Sequence, residues 1–421
     1  FTDAKNTFCF NSFLTKSEII KAVVNVRAEC SKVVNLKMFS LITKSTRLEE
    51  FANSQNTTIN AAGLYLKDTW TSNVINHVKN QLKDVQKGWF NLEETNTEVY
   101  NFSKLKKFLC YLNFSMQDSM RYSMEESLGK YRKYIEHACL PLVSIESRSK
   151  VDVDFSGGGK LDAEQREIRA KRNPLFLVDL VVENEGKEAM FGFSSKSSAF
   201  VDSVLQYFDK SLSVVLKLTR IERRVMKNLF WSREPVMTTV HPSEDWVCDH
   251  RAKIEEDMKR SSAVLDKYLE QFDSLLPFLQ TDIEEYLDDV ECRYGGKVKE
   301  GQEDDDAGER ELDVDSIKDL SLKHLKIRSE LEEDFPSSVN LGLFTLSTTK
   351  VRTLILDKHS QIASDLMDMV ARVTITYTNN TIEGFEDILN RLRHNPKDIE
   401  EVDELKSYMI TAPNLVKALE P

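Results

Sequence analysis

Three consecutive glycines before a lysine, in VDVDFSGGGK (residues 151–160), invite a chemical reading before anything else in this sequence. Backbone amides of a glycine-rich loop can wrap the phosphates of a nucleotide, with the lysine on the outer phosphates and a serine or threonine directly after it holding magnesium. Here Lys160 is followed by Leu161, which has no oxygen to offer a metal, and Asp154 stands where the first glycine of G-x-x-x-x-G-K-[ST] belongs. The preceding VDVD is no buried apolar strand, and the following LDAEQREIRAKR reads as a charged helical segment. Gly157, Gly158, Gly159 and Lys160 are therefore read as a joint, spanning 151–173 with its charged flank.

The next constellation is His241, Cys248 and His250 in HPSEDWVCDH. Its spacing matches no established zinc pattern and a fourth ligand would have to come from elsewhere, so the three are read as structural loop residues. The acidic run EDDDAGERELD lacks the alternating ligands of a calcium-binding loop. No G-x-S-x-G elbow or H-E-x-x-H is present, and paired carboxylates on charged helices ordinarily form solvated faces. The reading assigns no catalytic, cofactor-binding or metal residue to this segment. The candidates left concern binding to proteins. Arg223 and Arg224, in the basic cluster RIERRVMK, suit interhelical salt bridges or an acidic protein partner. Trp231 and Trp246 bracket an aromatic-rich loop and read as interface anchors or as core.

The elements that must position these residues are mostly helices. With 421 residues, 14 glycines and 9 prolines, the chain suits an array of helical bundles better than a set of sheet domains. The formal net charge of −12 argues against nucleic acid or an anionic membrane as partner. Six cysteines without C-x-x-C spacing suggest a reduced, cytosolic setting, so the sequons at Asn56, Asn101, Asn113 and Asn379 are read as unglycosylated. No apolar run reaches the ~18–20 residues of a membrane helix.

Residues 1–150 read as an N-terminal helical bundle, with Leu105, Phe108, Leu109 and Leu112 and then Met120, Met124, Leu128, Tyr131 and Ile135 on one apolar face. PLFLVDLVVENEGKEAMFGFSS (174–195) departs from that period and predicts a β-hairpin, which must lie on neighbouring helices to be stable. A second bundle follows over 196–294, with stripes Val201, Val204, Phe208, Leu212, Val215 and Val264, Tyr268, Phe272, Leu275, Leu279, the latter kinked at Pro277. Residues 295–316 carry nine acidic residues between Glu300 and Asp315 and predict a solvated, disordered loop. Residues 317–421 read as tail helices with Ile355, Ile362, Leu366, Met369 and Val373 on one face and Phe385, Ile388 and Leu392 continuing it. Asn395-Pro396 opens a last helix whose first turn, with Asp398, Glu400 and Glu401, is acidic as the helix dipole prefers. The expected class is mainly α, an elongated array of stacked helical bundles with one β-hairpin insertion.

Within that last segment, FEDILNRLRHNPKDIEEVDELKSYM resembles the tail of axonemal dynein heavy chains just upstream of their linker, whose pattern runs P-x-x-IEEL-x-EL-x-x-Y-M. Pro396, Ile399, Glu400, Glu401, Glu404, Leu405 and Tyr408 match it, and Val402 replaces the usual leucine. The WFNL, KL-x-x-FL and MQD-x-x-R elements within residues 88–135 are similar to the same family, and the two regions, 88–135 and 340–409, carry the resemblance. The resemblance implies a stem of a ciliary or flagellar motor, an ATP-driven, minus-end-directed microtubule motor whose ATP- and magnesium-binding ring lies far downstream. It implies a cytoskeletal, axonemal location, anchoring on the doublet microtubule and its docking proteins, and recruitment of dynein light or intermediate chains. Single-headed inner arms take actin with a dimeric light chain or with centrin, and the lack of a long preceding domain leans toward that type. A non-motor helical scaffold or tethering-complex subunit would share the composition and the bundles.

Overall fold

The computed structural model describes residues 16–83, 85, 91–140, 174–184, 186–233, 235–294 and 313–419. The glycine joint at 157–160 with its charged flank, and 295–312 of the acidic segment, lie outside the described residues. The chain is mainly α and divides into two compact units. Unit 1 comprises 1–180, 192–272 and 338–347, and unit 2 comprises 181–191, 273–337 and 348–421.

In unit 1, helices α1 (Ser17–Val34), α2 (Leu48–Leu64), α3 (Thr71–Leu82), α4 (Thr97–Phe102) and α5 (Lys104–Cys139) come first. A six-residue π-helical stretch, Tyr65–Trp70, joins α2 to α3. The 36-residue α5 starts where Ser103 accepts the Lys106 amide, and its predicted stripe from Leu105 to Ile135 is buried throughout. It packs on α1, and both α5 and α6 (Ser197–Leu216) pack on α8 (Asp245–Leu269). The stripe Val201 to Val215 is likewise buried.

The stripe expected from Val264 is offset by one residue in α8. Ile254, Met258, Ser261 and Leu265 face inward, while Val264 is half exposed. Nor does Pro277 kink a continuous helix. α8 ends at Leu269, a 3-10 stretch covers Glu270–Leu275, and Pro277 lies in the first turn of α9 (Leu276–Gln280), where its missing N–H costs nothing.

The predicted hairpin is half of a larger sheet. β1 (Phe176–Glu183) and β2 (Met190–Phe193) join β3 (Ser338–Asn340) and β4 (Phe344–Ser347) in the order β2-β1-β4-β3. β1 runs parallel to β4, with Phe176 opposite Phe344 and Val178 opposite Leu346, and β3 is antiparallel to β4. The region expected to be all helix from 317 thus contributes two strands. The turn between them uses Gly342 at φ 86°, whose amide donates to the Asn340 side chain. Aromatic rings tie strands to helices: Phe176 meets Phe51, Phe200 and Phe344 at centroid distances of 5.1, 4.9 and 6.0 Å.

In unit 2, α10 (Ile283–Tyr294), α11 (Val314–Asp334) and α12 (Thr349–Leu392) enclose a core of Val290, Ile317, Ile362, Leu366 and Met369. α11 begins at Val314, capped by Asp313, so the last residues of the acidic segment are helical. α13 (Ile399–Ala418) returns along α12, with Arg391 5.5 Å over the Tyr408 ring. Among the described residues no helix is long and apolar enough to cross a membrane.

Candidate docking pocket

The chain between α6 and α8 would wander if its own residues had to hold it. Instead Thr219 bridges Val236, the Arg220 amide donates to the Pro235 carbonyl at 2.8 Å, and the Met237 amide donates to Leu218 at 2.9 Å. The resulting narrow loop carries a single helical turn, α7 (Glu222–Val225). Asn113 of α5, fully buried, fixes it: its Oδ1 accepts the Ile221 amide at 3.0 Å while Nδ2 donates to Leu109 at 2.9 Å. Facing the loop is α4, started by Asn96, whose side chain accepts the Glu98 and Val99 amides.

Between loop, α4 and the start of α5 lies a cavity of about 160 Å³ lined by, among others, Tyr100, Lys106, Arg220, Glu222, Phe230 and Trp231. Trp231 meets Tyr100 edge-on at 6.2 Å, and its indole N–H donates to the Met226 carbonyl. Arg220 Nη2 and Glu222 Oε1 pair at 2.7 Å. The Tyr100 hydroxyl, Arg220 Nε and Glu222 Oε2 are buried without a hydrogen-bond partner, a costly state for polar atoms. Burial, with the Glu222 carboxylate beside it, pushes the Tyr100 phenol well up. Phe230 stands at the rim 82% exposed. Cys110 also lines the pocket, its Sγ accepting from Arg220 at 3.5 Å. The pocket thus offers hydrogen-bonding atoms and an aromatic edge, the make-up of a docking site.

The structure separates the residues expected to form an interface. Trp231 lines this pocket, and Arg223 and Arg224 lie exposed on α7, with Arg224 donating to the Ser72 hydroxyl at 2.9 Å. Trp246 belongs to another cluster at the start of α8, where its indole N–H donates to Glu244 at 2.9 Å and its ring meets His250 at 5.6 Å. Glu244 also accepts from Arg121 at 2.5 Å and from the His241 amide at 2.7 Å, and the Arg121 hydrogen bond above all holds its carboxyl down to about 2. Of the candidate zinc residues, Cys248 donates to the Pro242 carbonyl and His241 Nδ1 meets the Ser243 hydroxyl. Among the described residues no three His, Cys, Asp or Glu side chains converge as metal ligands. Sequence reasoning missed Tyr100 and Glu222, whose roles depend on partners far along the chain.

The segment-matching residues mark the start of α13. Asp398 accepts the Glu401 amide at 2.9 Å, and the Glu401 carboxylate accepts the Lys397 amide at 2.6 Å, a reciprocal cap. Ile399, Glu400 and Glu404 are exposed, whereas Pro396, Glu401, Leu405 and Tyr408 are half-buried. The exposed apolar residues Ile399, Val402, Met409 and Ile410 lie on α13, and Ile375 and Ile382 on α12.

No family model matches the chain. Across all 421 residues it is 30% identical to dynein axonemal heavy chain 1 of Mus musculus, covering 100% of this chain and 9% of the relative. The Homo sapiens and Rattus norvegicus proteins of the same name are each 29% identical over the same 421 residues, which make up 9% and 8% of their lengths. The similarity runs through both compact units and through residues far outside the two stretches that carry the sequence resemblance, and the chain belongs to the axonemal dynein heavy chains.

Proposed function

We propose that this chain is a tail segment of an axonemal dynein heavy chain, a non-catalytic platform that anchors the motor on the doublet microtubule of a cilium or flagellum and gathers accessory chains. The observation that carries this reading is the similarity of the entire chain to a small fraction of axonemal heavy chains, which leaves the ATP- and magnesium-binding ring to the rest of the parent. Two surfaces support a gathering role: the Trp231 pocket and the apolar residues left uncovered on α12 and α13. Exposed apolar patches on helical proteins are characteristic docking surfaces for further protein. The accessory chains are light or intermediate chains, and co-purification of actin with a dimeric light chain or centrin would identify a single-headed inner arm.

The test compares the parent heavy chain with a version lacking these 421 residues. Incorporation into axonemes should be lost and the microtubule-stimulated ATPase kept. Retained incorporation with lost ATPase, or saturable ATP hydrolysis by the isolated segment, would overturn the reading.

A further inference from the structure

Four elements of unit 2 meet at two facing imidazoles. His324 on α11 and His359 on α12 place their Nδ1 atoms 3.0 Å apart. Tyr286 on α10 puts its hydroxyl 3.1 Å from His324 Nε2, and Phe278 on α9 stacks on the His359 ring at 4.0 Å and 13°. His359 is 5% exposed. Beside it the Lys358 ammonium donates to the Leu279 and Thr281 carbonyls at 2.9 and 2.5 Å, fastening α12 to the residues around α9. The charges acting on the two rings are positive: Lys358 bears on His359 and Lys323 on His324, while the Asp282 carboxylate bears on Lys358.

Two nitrogens 3.0 Å apart need one proton between them. In the neutral pair that condition is met in either of two ways. Tyr286 donates to His324 Nε2 and His324 Nδ1–H donates to His359, or the chain of donors runs in reverse. One added proton makes His324 an imidazolium, which keeps the N–H···N bond to His359 but must be held half-buried beside Lys323. A second proton sets two N–H groups head to head, and the His359 ring that carries one of them is buried and stacked on Phe278. Burial and the nearby lysines disfavour both added protons, and the second opposes the contact itself, which joins α11 to α12.

We propose that the His324–His359 pair is a proton-operated latch, which in its neutral form holds α11 on α12 and on protonation releases that seam. The latch sits in the same unit as the core residues Ile317, Ile362 and Leu366, so release would expose the apolar side of α11. Nothing in this device depends on the chain being a motor tail, so its failure would leave the proposed function untouched.

The test is hydrogen exchange of the whole chain, read by mass spectrometry on peptides of α11 and α12 and corrected for the intrinsic pH dependence of exchange. Burial above all, then His324 and Lys358, push His359 down to about 4 from an ordinary 6.5. Proton linkage then favours opening about thirtyfold more at pH 5.0 than at pH 7.5. The wild-type seam should lose protection on that scale, His359→Gln should show a smaller change because only His324 remains to titrate, and His324→Gln combined with His359→Phe should change less than threefold between the two pH values even if it is less stable overall. Peptides of α5 in unit 1 should not follow. A wild-type seam equally protected at both values, or glutamine and phenylalanine variants that keep the full pH dependence, would overturn the proposal.

Discussion

Asn113 offers the sharpest check on how the docking pocket is built. It sits on the apolar side of α5, 1% exposed, and its side-chain oxygen is the acceptor for the Ile221 amide at 3.0 Å. Asn113→Leu keeps the branched outline of the side chain and removes the acceptor. Ile221 is itself wholly buried, so its N–H would be stranded away from water, at a cost of about 1–3 kcal/mol. The lost donation to Leu109 matters less, because a helix carbonyl keeps its backbone partner. Asn113→Asp separates the two roles: an oxygen still accepts from Ile221, but the other oxygen meets the Leu109 carbonyl and a charge is buried. Burial raises that carboxyl in the folded state, so the aspartate variant should recover stability as pH falls and the leucine variant should not. Urea unfolding of the whole chain measures both, and exchange of the Ile221 amide reports the loop directly. If Asn113→Leu lies within about 0.5 kcal/mol of the parent and Ile221 stays protected, the loop is not held by α5 and the account of the pocket fails.

Leu366 is wholly buried among Val290, Ile317, Ile362 and Met369, so Leu366→Ala should cost about 2–5 kcal/mol in the urea transition of unit 2; a cost below 1 would mean that this core is not packed as described. The Glu244 carboxyl, held to about 2 against an ordinary 4.5, binds fewer protons folded than unfolded between those values. Its contribution is therefore complete above pH 4.5 and lost as pH falls through 2. Because Arg121 is 40% exposed the shift overstates the energy, and about 1–2 kcal/mol is expected. Glu244→Gln should abolish that part of the acid dependence of urea stability, and an unchanged acid limb would show that the pair does not stabilise the start of α8.

What could be read in advance was what local period controls. Met120, Met124, Leu128, Tyr131 and Ile135 repeat at helical steps in a long helix, and all five are buried. Where polar residues join the buried face the signal slips: Ser261 and Ser262 are buried on α8, so a stripe drawn through apolar residues alone chose Val264 in place of Leu265. β4 was invisible for another reason. Its four residues lie between helix-like stretches, and their partner Phe176 is more than a hundred residues earlier, a pairing that no window contains. The N-L-G turn before it, with Gly342 at positive φ, was the available hint. The pocket shares that non-local origin, since Trp231 was legible as an aromatic but Tyr100 and Glu222 acquire meaning only from a loop pinned by Asn113.

The parallel pairing of β1 with β4 also sets an order of events during synthesis. Unit 1 cannot complete its sheet until Phe344 has left the ribosome, and by then the whole of α10 and α11, which belong to unit 2, has emerged. Phe176, Phe51 and Phe200 must meanwhile wait with one side of their aromatic cluster open, a state prone to wrong partners. Any expression boundary placed between 272 and 347 would make that waiting state permanent, although it would look on paper like a cut between two units.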